Sequence, residues 1–163
     1  MSRLLLLACL VAALSACGFR PRASLALAEE LGPVKVVTAD PYSPLAQGLS
    51  VALQRAGAQS AVEGQPSATL RVRSENLRTR PLSVDATARV REYETVYRVR
   101  FELTDAEGAS LLSPQTIELR REYTYDAKAQ AGSPAEQELI QEELRRDMQA
   151  AILRRLDATL RAD

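Results

Sequence analysis

The sequence predicts an α+β fold: a two-layer sandwich in the order β-α-β-β-β-α, with two helices on one face of a four-stranded, mostly antiparallel sheet. Apolar residues recur at threes and fours in two stretches, 43–57 and 133–160, whereas between 68 and 125 they alternate with period two. Each stretch has only one apolar side. One-sided helices and a one-sided sheet bury those sides most simply against each other, as two layers.

The elements follow in chain order. Val34-Lys35-Val36-Val37 is a β-branched run bounded by Pro33 and by Asp40-Pro41, so it reads as a strand. Ser43-Pro44 opens a helix, with Ser43 as N-cap and Pro44 at the first helical position, where its missing N–H costs nothing. Leu45, Leu49, Ala52, Leu53 and Ala56 share one helical face, and Gly57 closes the helix. From Ala68, Leu70 and Val72 alternate with Thr69, Arg71 and Arg73 in a strand that could run towards Leu77, while polar residues fill Ser74 to Arg80.

Tyr93, Thr95, Tyr97, Val99, Phe101 and Leu103 line one face of a long third strand, and Glu92, Glu94, Arg98, Arg100 and Glu102 the other, Val96 being the exception. One face is buried and one solvated, as in an antiparallel sheet. Asp105-Ala106-Glu107-Gly108 makes a hairpin connection, and Ile117, Leu119, Tyr123 and Tyr125 continue the apolar face on the returning strand, with Arg121 as the odd member. Ser133-Pro134-Ala135-Glu136 is a capping box with proline at the first helical position. The helix it opens carries Leu139, Ile140, Leu144, Met148, Ala151, Ile152, Leu156 and Leu160 opposite Glu142, Arg145, Arg146, Gln149 and Arg154.

The N-terminus is organised differently. Arg3 precedes the uninterrupted apolar run Leu4–Ala13, the pattern of a secretory signal peptide. A membrane-spanning helix needs about 20 apolar residues, so this run cannot span a bilayer. It ends in Leu14-Ser15-Ala16-Cys17, which resembles the lipobox of bacterial lipoproteins. The resemblance implies cleavage before Cys17 and acylation of that cysteine, palmitate among the chains. One chain binds a bilayer only marginally, at about 0.8 kcal/mol per buried methylene, and several make a lasting tether. Gly18, where inner-membrane lipoproteins of this kind carry Asp, implies the inner leaflet of the outer membrane with the polar domain in the periplasm. The expected organisation is therefore a cleaved signal (1–16), an acylated N-terminus and tether (17–33), and one α/β domain (34–160).

Composition narrows function. The 21 basic residues balance the 21 acidic ones, which gives no bulk attraction to nucleic acid. With Cys9 in the signal and Cys17 consumed by lipid, the mature domain has no thiol to pair and must fold without disulfides. The absence of His and of a free Cys removes the common general base, metal ligand and thiol nucleophile. No glycine-rich phosphate loop is present, and Asp85 and Asp126 read as turn acids. The expectation is a non-enzyme with no cofactor and no metal.

The mature chain resembles the LptE family of lipopolysaccharide-assembly lipoproteins. The residues that carry the resemblance are Cys17-Gly18-Phe19-Arg20, Val34-Lys35-Val36, the Asp40–Leu45 turn, Glu92-Tyr93, the Arg121–Asp126 strand end, Glu136-Gln137, and Leu153-Arg154-Arg155-Leu156. The resemblance implies a small α/β lipoprotein that sits as a plug inside the large β-barrel LptD, the two together placing lipopolysaccharide on the cell surface. Lipopolysaccharide carries phosphates, which favour guanidinium and ammonium groups on loops at one end of the sheet. The positions that align with the family's basic contacts are Ala86 and Ser133, neither of them basic. Arg89 and Arg91 after the second-to-third strand connection, and Lys128 in the other loop of the same end, are the candidates in this chain. The alternative is a stand-alone periplasmic lipid-binding or transporter-accessory lipoprotein, which needs a pocket between the layers. The large side chains on the sheet's inner face predict a filled interior instead.

Overall fold

The structure, a computed structural model, describes residues 31–84, 86, 90–124 and 134–161, the side chain of Arg91 excepted. In chain order the elements are β1 (Pro33–Thr38), α1 (Pro44–Arg55), β2 (Gln59–Ser60), β3 (Ala68–Val84), β4 (Val90–Thr104), β5 (Ser110–Thr124) and α2 (Pro134–Leu160). The expected sandwich is present, with two corrections to its sheet. The sheet has five strands in the order β2-β1-β3-β4-β5, and β1 pairs in parallel with both β2 and β3. The parallel pairing follows from α1, which carries the chain from the end of β1 back to the sheet's starting edge, as a crossover helix does. The added strand, β2, is two residues long and has no periodicity for a sequence to display.

α1 begins as its sequence dictates, with the Ser43 hydroxyl accepting the Ala46 N–H at 3.4 Å. It ends in a Schellman motif: Gly57 adopts φ +97°, its N–H reaches the Gln54 carbonyl at 2.9 Å, and the Ala58 N–H reaches Leu53 at 3.0 Å. At the β4–β5 hairpin, the Asp105 carboxylate accepts the Glu107 and Ala109 N–H groups at 3.0 and 2.7 Å, and Gly108 takes φ +91°.

The core lies where α1 and α2 cover the sheet. Leu45 and Leu49 of α1, Leu70 of β3, Tyr97, Val99, Phe101 and Leu103 of β4, and Leu144, Met148, Ile152 and Leu156 of α2 are fully buried. Each such aliphatic side chain contributes about 1.5–3 kcal/mol on leaving water. The expected stripe on α2 is buried only where the helix lies over this core. Its first turns run past it, so Leu139 is 52% exposed and Ile140 packs only partly.

The second correction to local expectation concerns β3. The strand does not stop near Leu77 but continues through the polar residues to Val84, paired with β4. A register shift between Val72 and Ser74 inserts Arg73 as an extra residue. The bulge reverses the alternation. Leu70 and Val72 face the helices before it, and Glu75, Leu77 and Thr79 face them after it, opposite Val99, Tyr97 and Thr95. Leu77 therefore joins the apolar side despite its odd spacing from Val72.

Candidate functional site

Register brings the described ends of three elements together at one end of the sheet. β3 ends and β4 begins at Val84↔Val90, β5 ends with Thr124 opposite Glu92, and α2 starts at Pro134 after the next connection. Val84, Val90 and Thr124 thus lie at the same end of the sheet. Arg89 and Lys128 themselves, the Arg91 side chain, Cys17, Asp85, Tyr125, Asp126 and Ser133 lie outside the described residues. Ala86 is an exposed turn residue. Leu82 and Val84 are exposed at this end of β3, and Tyr93 stacks on Tyr123 with ring centroids 5.5 Å apart. The buried Tyr123 hydroxyl has no hydrogen-bond partner among the described residues. Burial, and then the neighbouring Tyr93, push its ionisation above the ordinary phenol range.

The sheet face turned away from the helices is laced with charge. Three glutamates each sit between two arginines. Glu102 meets Arg71 at 3.5 Å and Arg73 at 2.7 Å; Glu94 meets Arg80 at 2.7 Å and Arg120 at 3.5 Å; Glu118 meets Arg98 and Arg120, the Arg120 Nε bond being 2.9 Å. The carboxylates are the covered partners: the Glu94 side chain is 4% exposed beneath arginines that are more than half exposed. Such geometry keeps the desolvated charge fully hydrogen-bonded and the long cation stems in contact with water. The hydrogen bonds from Arg120, and next from Arg98, hold the Glu118 carboxyl below the ordinary glutamate range. Ser83 donates to Glu92 at 2.6 Å on the same face. Val96 lies opposite Arg78 and Arg120, an aliphatic spacer within the ladder.

A third feature lies at the edge of the helical layer. Glu75, turned inward by the bulge, accepts hydrogen bonds from the Ser43 and Tyr97 hydroxyls, each at 2.6 Å. Burial, reinforced by that bond to Glu75, pushes the Tyr97 phenol far above its ordinary range. An open cleft of about 360 Å³ adjoins the cluster, lined by Thr38, Asp40, Ser43, Glu75, Leu77 and Arg145 among others. Alternation alone missed Glu75 because the bulge changes which residues face inward. It missed the coverage of Glu94 because burial on a solvated face comes from neighbouring arginines rather than from a second layer. No group of His, Cys, Asp and Glu that could hold a metal occurs among the described residues, and no described helix is long and apolar enough to cross a membrane.

These features can be set beside known proteins. The pattern of the family described as LptE, lipopolysaccharide-assembly, matches residues 31–156. The crystal structure of rare lipoprotein B from Shewanella oneidensis is similar at TM-score 0.66 and 26% identity, covering 78% of this chain and 96% of that one. The solution structure of an uncharacterized lipoprotein B from Nitrosomonas europaea is similar at TM-score 0.74 and 28% identity, covering 89% and 94%. A minor lipoprotein from Acinetobacter baumannii shares the fold, at TM-score 0.60 and 22% identity over 78% and 92% of the two chains. No curated protein sequence matches the chain.

Proposed function

The chain belongs to the LptE family of lipopolysaccharide-assembly proteins, and from that premise we propose that it is a non-enzymatic outer-membrane lipoprotein that plugs a large β-barrel of the LptD type and assists assembly of lipopolysaccharide at the cell surface. The observation that carries the reading is the open sheet face, where the Glu94, Glu102 and Glu118 carboxylates are neutralised in place by surrounding arginines. A plug needs a rigid surface compatible with the polar lumen of a barrel, and a paired charge ladder supplies one without a broad apolar patch. The filled interface between helices and sheet, with Tyr97 and Phe101 fully buried, speaks against the stand-alone lipid-binding alternative.

In this reading the signal is cut before Cys17, acyl chains on Cys17 anchor the chain, and residues 17–33 tether the domain on the periplasmic side. Arg89, Arg91 and Lys128 contact lipopolysaccharide phosphates from loops at one end of the sheet. The test is to solubilise the tagged protein in detergent from its native outer membrane and identify by mass spectrometry what stays bound through washing. Recovery of a large β-barrel in roughly equal amount is expected. A free monomer, or a different partner, would overturn the plug reading.

A further inference from the structure

β3 is flanked on both sides for only part of its length. β1 pairs with it from Val34↔Ala68 to Thr38↔Val72 and then leaves through the Asp40 turn towards α1, whereas β4 accompanies it to Val84↔Val90. From Arg73 onward, the edge that β1 abandons has no strand beside it among the described residues. Alternate backbone N–H and C=O groups along such an edge point away from the sheet, ready to pair with an added strand. The open cleft lies in the place of that missing strand, between the end of β1, the start of α1, Glu75 and Leu77 of β3, and Arg145 of α2.

Exposed edges are usually blunted by proline, lysine or an inward-turned charge. Between Ser74 and Arg80 this one has no proline and no lysine; Pro81 stands only beyond it. Its inward charge, Glu75, has both oxygens engaged by the chain's own Ser43 and Tyr97 hydroxyls. The opposite edge of the sheet differs, since β5 carries Pro114 within its length and shifts register twice against β4.

We infer that the free edge of β3 between Ser74 and Arg80 is a docking site for an extended, acidic polypeptide segment, which adds to the sheet as the strand continuing the line of β1. Main-chain hydrogen bonds along the edge supply affinity, and the side chains of the added strand supply selectivity. The acidic preference follows from two guanidiniums beside the edge. Arg78, on the open face, makes no ion pair among the described residues. Arg145, in the cleft, makes a 3.5 Å hydrogen bond to the Gln141 side chain and no ion pair among the described residues. A strand laid along β3 brings its alternate side chains past these two cations, one on each face, and carboxylates there complete pairs that the described residues leave open. The inference is independent of the barrel reading and stands or fails separately.

The experiment uses the full-length acylated protein in detergent and a labelled peptide of alternating Glu and Val as probe, read by fluorescence anisotropy and by amide exchange. Saturable binding is expected, with exchange slowed at alternate amides from Ser74 to Arg80. Affinity should fall about tenfold or more for a Lys/Val peptide, and equally for the Arg78→Glu, Arg145→Glu double variant. The Arg78→Gln, Arg145→Gln variant, checked by an unchanged thermal melt, carries the same expectation with a smaller drop if the reversed charges impair folding. No binding, equal binding of the Lys/Val peptide, protection on β5 instead, or loss of signal to inorganic phosphate without amide protection would each overturn the inference.

Discussion

The two halves of β3 are made of different physics, although they belong to one strand. Before the Arg73 bulge, Ala68, Leu70 and Val72 lie between two neighbouring strands and beneath the helices, nearly or fully buried. After it, Leu77 is half-buried, Thr79 and Pro81 are exposed, and among the described residues a neighbouring strand remains on one side only. The first half is held by apolar area removed from water. The second is held by its ladder with β4 and, on the open face, by Arg80 against the covered Glu94 carboxylate and Ser83 against Glu92. The difference teaches that sheet length need not track core size: a strand can extend beyond its hydrophobic cover where the extension brings its own charge pairing.

The largest effect should come from the first region. Phe101→Ala or Met148→Ala leaves a cavity among fully buried neighbours and is expected to lower stability by about 3–5 kcal/mol in urea unfolding, or about 2–5 for the methionine. Leu82→Ala, in the exposed part of β3, should stay within about 0.5 kcal/mol. Equal losses in the two places would erase the distinction. Next in size is Glu94→Gln, which removes the covered carboxylate while its partners Arg80 and Arg120 remain largely hydrated. The expected loss is about 1–3 kcal/mol, the range of a charge-assisted hydrogen bond, rather than the larger cost of stranding a buried cation. A neutral outcome would mean that the ladder contributes nothing to the extended half.

Legibility in the sequence divides along the same line. Where burial is one-sided and continuous, the periods of 2 and 3.6 residues identify the elements, and the β4 face, the α1 cap and the start of α2 stand where the residues place them. The departures have local causes. One bulge residue, Arg73, shifts Leu77 and Glu75 to the helical side and makes a long strand look like polar filler. β2 is too short to have a pattern, and the parallel pairing of β1 rests on a crossover that short-range spacing does not encode. In the candidate site, the common end of β3, β4 and β5 at Val84, Val90 and Thr124 could be read from hairpin register. The clasped glutamates could not, because their burial depends on which arginines lie across the strand, and a one-residue shift changes every such pair.

Acid should distinguish the charged open face from the apolar core by a smaller amount. Glu118 has its carboxyl held below the ordinary glutamate range by Arg120 first and Arg98 second. A carboxylate with a lowered pKa in the folded state stabilises fully above its unfolded pKa, and that contribution fades as pH falls through the folded value. Acidification below about pH 4 should therefore loosen the open face before the apolar core. Amide exchange around residues 116–120, corrected for its intrinsic pH dependence, should rise relative to that of residues 144–156. A uniform response would show that the core, and not the charge ladder, sets the acid limit.

The smallest effect is expected at the seam between the regions, where Arg121 interrupts the apolar face of β5. The register sets it beside Thr95, facing α2, and its guanidinium reaches the Asp147 carboxylate at 2.7 Å. Both side chains remain about half exposed, so solvent screens the pair and holding two flexible chains together offsets much of the attraction. Arg121→Ala should cost at most about 1 kcal/mol, and that change should vanish at high salt. Arg121→Leu separates two accounts of the position. If the arginine is tolerated only because the sheet here is incompletely covered, leucine will match or exceed the parent in stability, since apolar area under α2 replaces a screened ion pair. If the pair fixes where α2 crosses the sheet, leucine will cost as much as alanine, and Asp147→Ala will match it in a double-mutant cycle with a coupling close to the whole single-mutant effect. Parity or gain with leucine is the expected result, because the fully buried Leu144 and Met148 flank Asp147 and already anchor the helix there.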